Sequence, residues 1–448
     1  MSETPVRLPD AGFLADPALA RVLALLDRDG EEARVVGGAV RNALLGEPVT
    51  ELDIATTALP DEVVRRAKAA GLAAIPTGID HGTVTVVADG RPFEVTTLRR
   101  DVETFGRKAK VAFGRDWRAD AERRDFTMNA LSVGRDGVVH DPLGGFPDLI
   151  ARKVRFIGAP ARRIAEDFLR ILRYFRFHAS YGNGDFDRES LAACVAARET
   201  LRALSRERVR MELMKLLVAP GAAATATVMS DTGILHLVLG GVGLPQNLAA
   251  MARHEAVLGR KPDPVRRLAA LAVLVEEDSD RLRERLRLFN GEHRRLALMA
   301  HHWREVSPAA GEAAARALLY RLGPDAYGDR VLLAWSRAGS CPRAAAALAD
   351  LDVSGYADTS GGVTADAREA ACQDMCEDAW RSLATLPDRW QAPAFPLKAA
   401  AFMARGIPAG PALGKVLRVA ETAWIAEGFP LDTASLDRIV AQAAAETG

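Results

Sequence analysis

Hydrophobic positions change rhythm part-way along the chain. Gly82-Thr83-Val84-Thr85-Val86-Val87 alternates apolar and polar residues, the period-two pattern of a half-buried strand. Arg34-Val35-Val36, Leu52-Asp53-Ile54-Ala55, Pro92 to Leu98 and Gly137 to His140 predict further strands, interleaved with helices over Val40 to Leu45 and Asp61 to Ala70. From Arg163 onward strand signals nearly vanish. Over Glu166 to Ala179, apolar side chains at Phe168, Leu169, Leu172, Phe175 and Phe177 fall near helical spacing and predict one helix. Arg206 to Val218 and Val265 to Val275 predict further helices. Alanine is the best helix former, so Ala313 to Leu319, Ala344 to Leu351 and Ala365 to Ala379 read as helical too. Pro220-Gly221, Gly240-Gly241, Pro308 and Gly361-Gly362 punctuate the helical part, and no fixed-period repeat is visible. The pattern predicts an α+β protein: a mixed α/β head over residues 1–150, a helical neck over 151–225 and an all-helical body and tail over 226–448.

Length and composition agree with this division. A chain of 448 residues is long enough for about three structural units. Lys and Arg together number 59, as do Asp and Glu, which excludes a globally basic nucleic-acid coat but not a local basic groove. One such surplus exists: between Ala151 and Pro220 there are 15 Lys and Arg against 8 Asp and Glu. It suits either phosphates or local carboxylate pairing. No apolar run is long enough to span a membrane and no secretory leader pattern opens the chain. The four cysteines, Cys194, Cys341, Cys372 and Cys376, form no disulfide framework, so a reducing, cytoplasmic setting is expected. Cys372 and Cys376 share a helical spacing and, like His301-His302, read better as packing than as metal ligands.

Four short segments carry candidate chemistry. Val36-Gly37-Gly38-Ala39-Val40-Arg41 joins a strand to a helix through two glycines; such a turn presents backbone N–H groups to an anion, although it also serves as a plain tight connection. It is not a Walker loop. Glu51 and Asp53 stand two apart, so on a strand their carboxylates share a face, where a hard cation would relieve their repulsion. Glu94 adds a third acid on another strand. Glu122 to Ala130 gathers Arg123, Arg124, Asp125 and Asn129 into one or two helical turns, suited to ribose and phosphates or to a surface charge network. In Glu166-Asp167-Phe168-Leu169-Arg170, Asp167 and Arg170 are three apart and share a helix face, with Arg173 and Arg176 continuing the row. That spacing fits an ordinary intrahelical ion pair as well as a donor-acceptor edge for a nucleobase.

Taken in this order, the segments resemble the class II nucleotidyltransferase family of bacterial CCA-adding enzymes and poly(A) polymerases. The resemblance rests on VVGGAVRNALLG, ELDIATTALPDEV, HGTVTVV, FEVTTLRRD, RRDFTMNALS, DPLGG and EDFLRILRYFRF, across about residues 35–180, with weaker likeness in SRERVRMELMKLL and GIPAGPALGKVLRVAETAW. It implies that Glu51 and Asp53 hold catalytic Mg²⁺. It also implies nucleotide contacts from Gly38, Arg41, Arg124, Arg173 and Arg176, and a protein template for the base in Asp167 and Arg170. Beside these, Glu94 is a candidate catalytic acid, and Gly37 and Asn129 are candidate nucleotide contacts from their place in the same segments. The implied reaction is addition of CCA to the 3′ end of tRNA from CTP and ATP, with pyrophosphate released.

Two departures stand out. Glu51 replaces the Asp usual in the family, and Asn42 replaces an Asp after Arg41, removing a charge that would orient the guanidinium. No His-Asp pattern of an appended hydrolase is visible. The basic segment Arg99 to Arg118 reads as a mobile pocket-shaping loop or a surface hairpin. The helical body is expected to grip the acceptor arm of tRNA through phosphates and shape. Poly(A) polymerase, a partial A- or C-adding enzyme and a catalytically silent RNA-binding module remain the alternatives, and the oligomeric state is open.

Overall fold

In the computed structural model, residues 6–8, 12–105, 108–301, 303–338 and 376–446 are described. They form two compact units, residues 1–242 and 243–448. Cys341, Cys372, His302, Gly106, Gly361-Gly362 and the alanine-rich run 344–351 lie outside the described residues.

The first unit is built on a seven-stranded mixed sheet. Helix α1 (Pro17–Leu26) leads into β1 (Ala33–Val36), α2 (Gly38–Leu45), β2 (Asp53–Thr56), α3 (Pro60–Ala69), β3 (Ala73–Gly78), β4 (Thr83–Ala88) and β5 (Arg91–Thr97). After the hairpin of β6 (Arg99–Phe105) and β7 (Lys108–Phe113), helix α4 (Trp117–Glu122) precedes two short strands, β8 (Ser132–Val133) and β9 (Val139–His140). The strand order is β3-β4-β5-β2-β1-β8-β9, and only β2 and β5 run parallel. The alternating 83–87 segment buries Val84, Val86 and Ala88 on one face, as its pattern predicts. Two strands escaped the sequence reading: β3 lacks alternation and is largely exposed, and β8 is two residues long. The Arg99 to Arg118 segment contains an antiparallel hairpin.

The register brings the chemistry to one end of the sheet. Val36, the last residue of β1, pairs with Asp53, the first of β2, and with Ser132 of β8; Asp53 in turn stands beside Glu94 of β5. The glycine turn after β1 and the acid opening β2 are therefore neighbours.

Helices α5 (Phe146–Ile150), α6 (Pro160–Glu166), α7 (Leu169–Tyr181), α8 (Arg188–Ala196), α9 (Arg206–Leu217), α10 (Ala222–Asp231) and α11 (Ile234–Leu239) complete the unit. The single helix expected over Glu166 to Ala179 is two. Asp167 sits between α6 and α7 in an extended conformation, φ −155° and ψ 108°, and its Oδ1 accepts the N–H of Leu169. A side chain that caps the next helix competes with continuing the previous one. Helix α7 docks through aromatic rings: Phe126 lies 4.9 Å from Phe177 and 5.0 Å from Phe156, which stacks on Tyr174 at 5.4 Å. Such contacts add about 0.5–1.5 kcal/mol per pair beyond the area they bury.

The second unit is all helical among its described residues. Helices α12 (Pro245–Val257), α13 (Pro264–Ala272), α14 (Glu277–Leu286), α15 (Asn290–Ala300), α16 (Gly311–Leu322) and α17 (Pro324–Ala338) are followed by Ala399–Met403, Pro411–Ala426 and Thr433–Ala445. Fully buried Trp424 centres a separate core with Phe402, Val416 and Ile439. Among the described residues, no helix is long and apolar enough to cross a membrane.

Candidate nucleotide-binding site

An open cavity of about 490 Å³ lies in the first unit. Five arginines line it (Arg41, Arg124, Arg170, Arg173 and Arg208) against three aspartates, Asp53, Asp125 and Asp167. An excess of guanidinium in a concave site favours a polyanion.

Gly37 and Gly38 form one wall. Gly37 opens α2 with φ 67° and ψ −120°, a left-handed φ that favours glycine. A Cβ there would also lie 3.1 Å from Arg124 Nη1, so the bare backbone lets that guanidinium approach. Arg124 is in turn held by Asp120, 3.3 Å from its Nη2. Glu122 to Ala130 is not the short helical run expected: α4 stops at Glu122 and a 3₁₀ turn covers Thr127–Asn129. The break turns Asp125 and Asn129 inward, and both are buried.

A chain of hydrogen bonds crosses the cavity floor. Arg41 Nη1 donates to Asn129 Oδ1 at 2.6 Å, and Asn129 Nδ2 donates to Asp125 Oδ1 at 2.9 Å. The other oxygen of Asp125 accepts from Arg173 Nε at 2.8 Å. Burial raises the Asp125 pKa, but Arg173 and Asn129 outweigh it and leave the carboxyl below its usual value. Arg173 also lies 3.7 Å from Glu212, which takes up Arg176. Arg176 therefore faces Glu212 and the Phe177 ring, 4.3 Å away, and is not part of the cavity lining. The charge lost at Asn42 is replaced by its amide oxygen, which accepts from Arg41 Nε and Nη2 at 3.1 and 2.8 Å.

The acids are arranged differently from the sequence expectation. Strand β2 begins at Asp53, so Glu51 lies outside it, exposed, and the two carboxylates are not successive residues of one strand face. Asp53 alone of Glu51, Asp53 and Glu94 lines the cavity. Its pKa is nevertheless raised, first by burial and then by Glu94 and Glu51, with Arg124 opposing. Among the described residues, no three His, Cys, Asp or Glu side chains converge to form an all-protein metal cage. Asp53, with Glu94 and Glu51 close enough to oppose its charge, lies beside a cavity for phosphates and fits an ion that takes one or two carboxylates and completes its shell with water and substrate.

Asp167 and Arg170 both line the cavity but do not share a helix face or pair with each other. Asp167 Oδ2 accepts from Arg208 Nη2 at 2.6 Å, and Arg170 Nη1 donates to Glu166 at 2.5 Å. Asp125, counted in the Glu122 to Ala130 cluster, lines the cavity; Arg208, Phe177 and Tyr181 were not assigned to the site from sequence. Arg208 lies inside SRERVRMELMKLL, Phe177 inside EDFLRILRYFRF, and Tyr181, whose hydroxyl meets Arg41, follows it.

Comparison with known proteins gives matches over two parts of the first unit. Residues 33–155 match the poly A polymerase head domain, and residues 185–242 match a probable RNA- and SrmB-binding site of polymerase A. The mitochondrial CCA tRNA nucleotidyltransferase 1 of Mus musculus is 38% identical over 286 residues, 62% of this chain and 65% of that protein. The chain is similar to CCA-adding enzymes and poly(A) polymerases. The matched stretch spans just under two thirds of that relative's length. Two solved members of the family share the fold over nearly the whole chain. The Bacillus stearothermophilus CCA-adding enzyme in complex with CTP has a TM-score of 0.66 at 23% identity, covering 96% of this chain and 98% of that one. The Thermotoga maritima CCA-adding enzyme complexed with tRNA has a TM-score of 0.64 at 17% identity, covering 98% and 99%. The family's head-domain match takes in the glycine turn, Asp53 and Arg124; its RNA-binding match takes in Arg208.

Proposed function

We propose that the chain is a template-independent nucleotidyltransferase that adds CCA to the 3′ end of tRNA from CTP and ATP and releases pyrophosphate. The observation that carries this reading is the cavity itself, which brings the glycine turn, Asp53, Arg124, Asp167 and Arg170 to one place in a chain similar to tRNA-extending and poly(A)-extending enzymes. The head, 1–150, would supply phosphate and metal groups. The neck, 151–225, would supply the base-reading side chains, and the body, 226–448, would hold the acceptor arm of tRNA.

Mg²⁺ would be held by Asp53 with Glu51, and Glu94 beside them would add negative charge. The chemistry such an ion supplies is activation of the attacking 3′-hydroxyl and neutralisation of the phosphates. The chain's own part is positioning and electrostatics. Arg41 and Arg124, with the Gly37-Gly38 backbone, would hold the triphosphate so that its α-phosphorus faces the 3′-hydroxyl and the departing pyrophosphate stays charge-compensated. Asp167 accepts and Arg170 donates hydrogen bonds, a pattern that meets an exocyclic amine beside a ring acceptor, as in cytosine and adenine. Uracil and guanine offer the reverse and would leave those groups unpaired. A cytoplasmic location belongs to the same proposal and is tested by cell fractionation.

Primer extension tests the whole reading. Purified protein with Mg²⁺ is given tRNA transcripts ending before CCA, after C and after CC, with CTP and ATP singly and together. Addition of C, C and A followed by arrest is expected. Both matched family models carry polymerase A in their descriptions, which favours one second reading, and a long A ladder would establish it. A added only after CC would mark a partial enzyme. No incorporation by folded protein that still binds tRNA would leave an RNA-binding module.

A further inference from the structure

Arg41 is only 6% exposed, yet every oxygen it is seen to touch is uncharged. Asn42 Oδ1 accepts twice, Asn129 Oδ1 once, and the Tyr181 hydroxyl accepts from Nη2 at 2.7 Å. The Tyr181 ring also lies against the guanidinium, 3.9 Å from Cζ to ring centre. A guanidinium has five N–H donors, so these four bonds leave one, on Nη1, for the cavity that Arg41 lines. The Asn42 amide cannot turn freely, because its Nδ2 donates to the Pro48 carbonyl at 2.8 Å. Arg41 stands on α2 and Tyr181 ends α7, so this one contact ties the phosphate-facing helix to the helix that carries Arg170.

A carboxylate in the place of these acceptors would orient the guanidinium and also cancel its charge. Neutral oxygens orient it and leave the charge whole for an anion. We infer that Tyr181 is a positioning residue which, together with Asn42, aims Arg41 at the triphosphate of the incoming nucleotide without neutralising it. The inference rests on the nucleotidyltransferase reading above and assigns a role to a residue outside the motifs that suggested that reading.

Equilibrium binding of CTP, ATP and cytidine to the full chain, without tRNA, tests it. Tyr181→Phe keeps the ring and removes only the hydroxyl. Losing a hydrogen bond to a charged group is expected to weaken CTP and ATP about tenfold. Cytidine binding and the melting temperature should hold. In steady state the KM for CTP should rise by the same factor with kcat nearly unchanged. Asn42→Asp added to Tyr181→Phe should not recover the affinity, since a carboxylate orients the guanidinium but cancels the charge that the phosphates need. Equal CTP affinity in Tyr181→Phe and the parent overturns the inference, as does equal loss of CTP and cytidine or full recovery of CTP affinity with Asn42→Asp. A collapsed melting temperature in Tyr181→Phe would mark the hydroxyl as structural and overturn it too. If the unmodified chain binds neither CTP nor ATP, the nucleotidyltransferase reading itself fails.

Discussion

Both units bury clusters of arginine and carboxylate, and the two clusters are balanced differently. In the second unit Glu255 accepts from Arg266 at 2.9 Å and Arg267 at 2.7 Å, while Asp329 accepts from Arg266 at 3.1 Å and Arg295 at 2.5 Å. Arg295 also reaches Asp263 at 2.8 Å. Three guanidinium groups thus meet three carboxylates across α12, α13, α15 and α17. Asp329 and Asp263 push the Arg295 pKa above its ordinary value. In the first unit Arg124, Arg170, Arg173 and Arg208 line the cavity with carboxylate partners, whereas Arg41 is held by uncharged oxygens and burial pulls it below the ordinary arginine value. A matched cluster satisfies itself and works as structure; a buried cation with neutral partners in a concave wall is incomplete until an anion arrives.

The sharpest way to break this contrast is at Asp53. Asp53→Asn should lower nucleotide incorporation by about 10²–10³-fold, the scale of removing one group that stabilises transition-state charge. Stability should move the other way. The folded-state pKa of Asp53 is raised, so its ionised form opposes folding as pH rises above the ordinary carboxylate value, and a neutral amide removes that opposition. Incorporation assays beside thermal melts at pH 7 check both halves. A destabilised Asp53→Asn chain would show that Asp53 belongs with the matched, structural carboxylates.

Asp329→Ala asks the converse question of the second unit. It strips two arginines of a buried partner and should cost about 3 kcal/mol in chemical denaturation. CTP affinity, measured where the variant is still folded, should stay the same, because the cavity contains none of these residues. Asp125→Asn lies between the two extremes, being buried and matched yet part of the cavity wall. About 2 kcal/mol of stability should be lost at pH 7 through the weakened Arg173 bond. The Asp125 pKa is depressed, so its contribution is complete above about pH 4 and fades as pH falls through the folded value. Denaturation curves for parent and variant should therefore converge in acid.

Parts of the first unit were legible in the sequence, while the matched cluster of the second unit was not. The alternating run at 83–88 and the glycine turn could be read directly, because strand period and left-handed turns leave local marks in sequence. Asp53 and Arg124 stood out once four motifs appeared in order. What sequence did not reveal was decided by competition between neighbours. The break at Asp167 depends on a side chain capping α7, and the partners of Asp167 and Arg170 depend on where α9 packs. Spacing of three suggested that Asp167 and Arg170 bond each other; a helix boundary between them sent each to a different partner. The Arg41–Tyr181 contact joins residues 140 apart in the chain, and no local pattern announces it.

The smallest expected effect, and the finest test of the contrast, is at Arg208. Its guanidinium lines the cavity yet spends a bond on Asp167 Oδ2, while Oδ1 of the same carboxylate accepts the Leu169 N–H at 3.1 Å. Both oxygens that the proposal assigns to base reading are thus held from behind. Arg208→Ala would leave one oxygen free to swing, and the preference for CTP over UTP should fall by less than about tenfold. Arg208→Lys keeps the charge on a flexible stem and should restore part of that preference. If both variants lose overall CTP affinity while selectivity stays intact, Arg208 serves the phosphates. If selectivity falls and affinity holds, Arg208 and Asp167 form a matched pair like those of the second unit, set beside an Arg41 whose hydrogen-bond partners are uncharged.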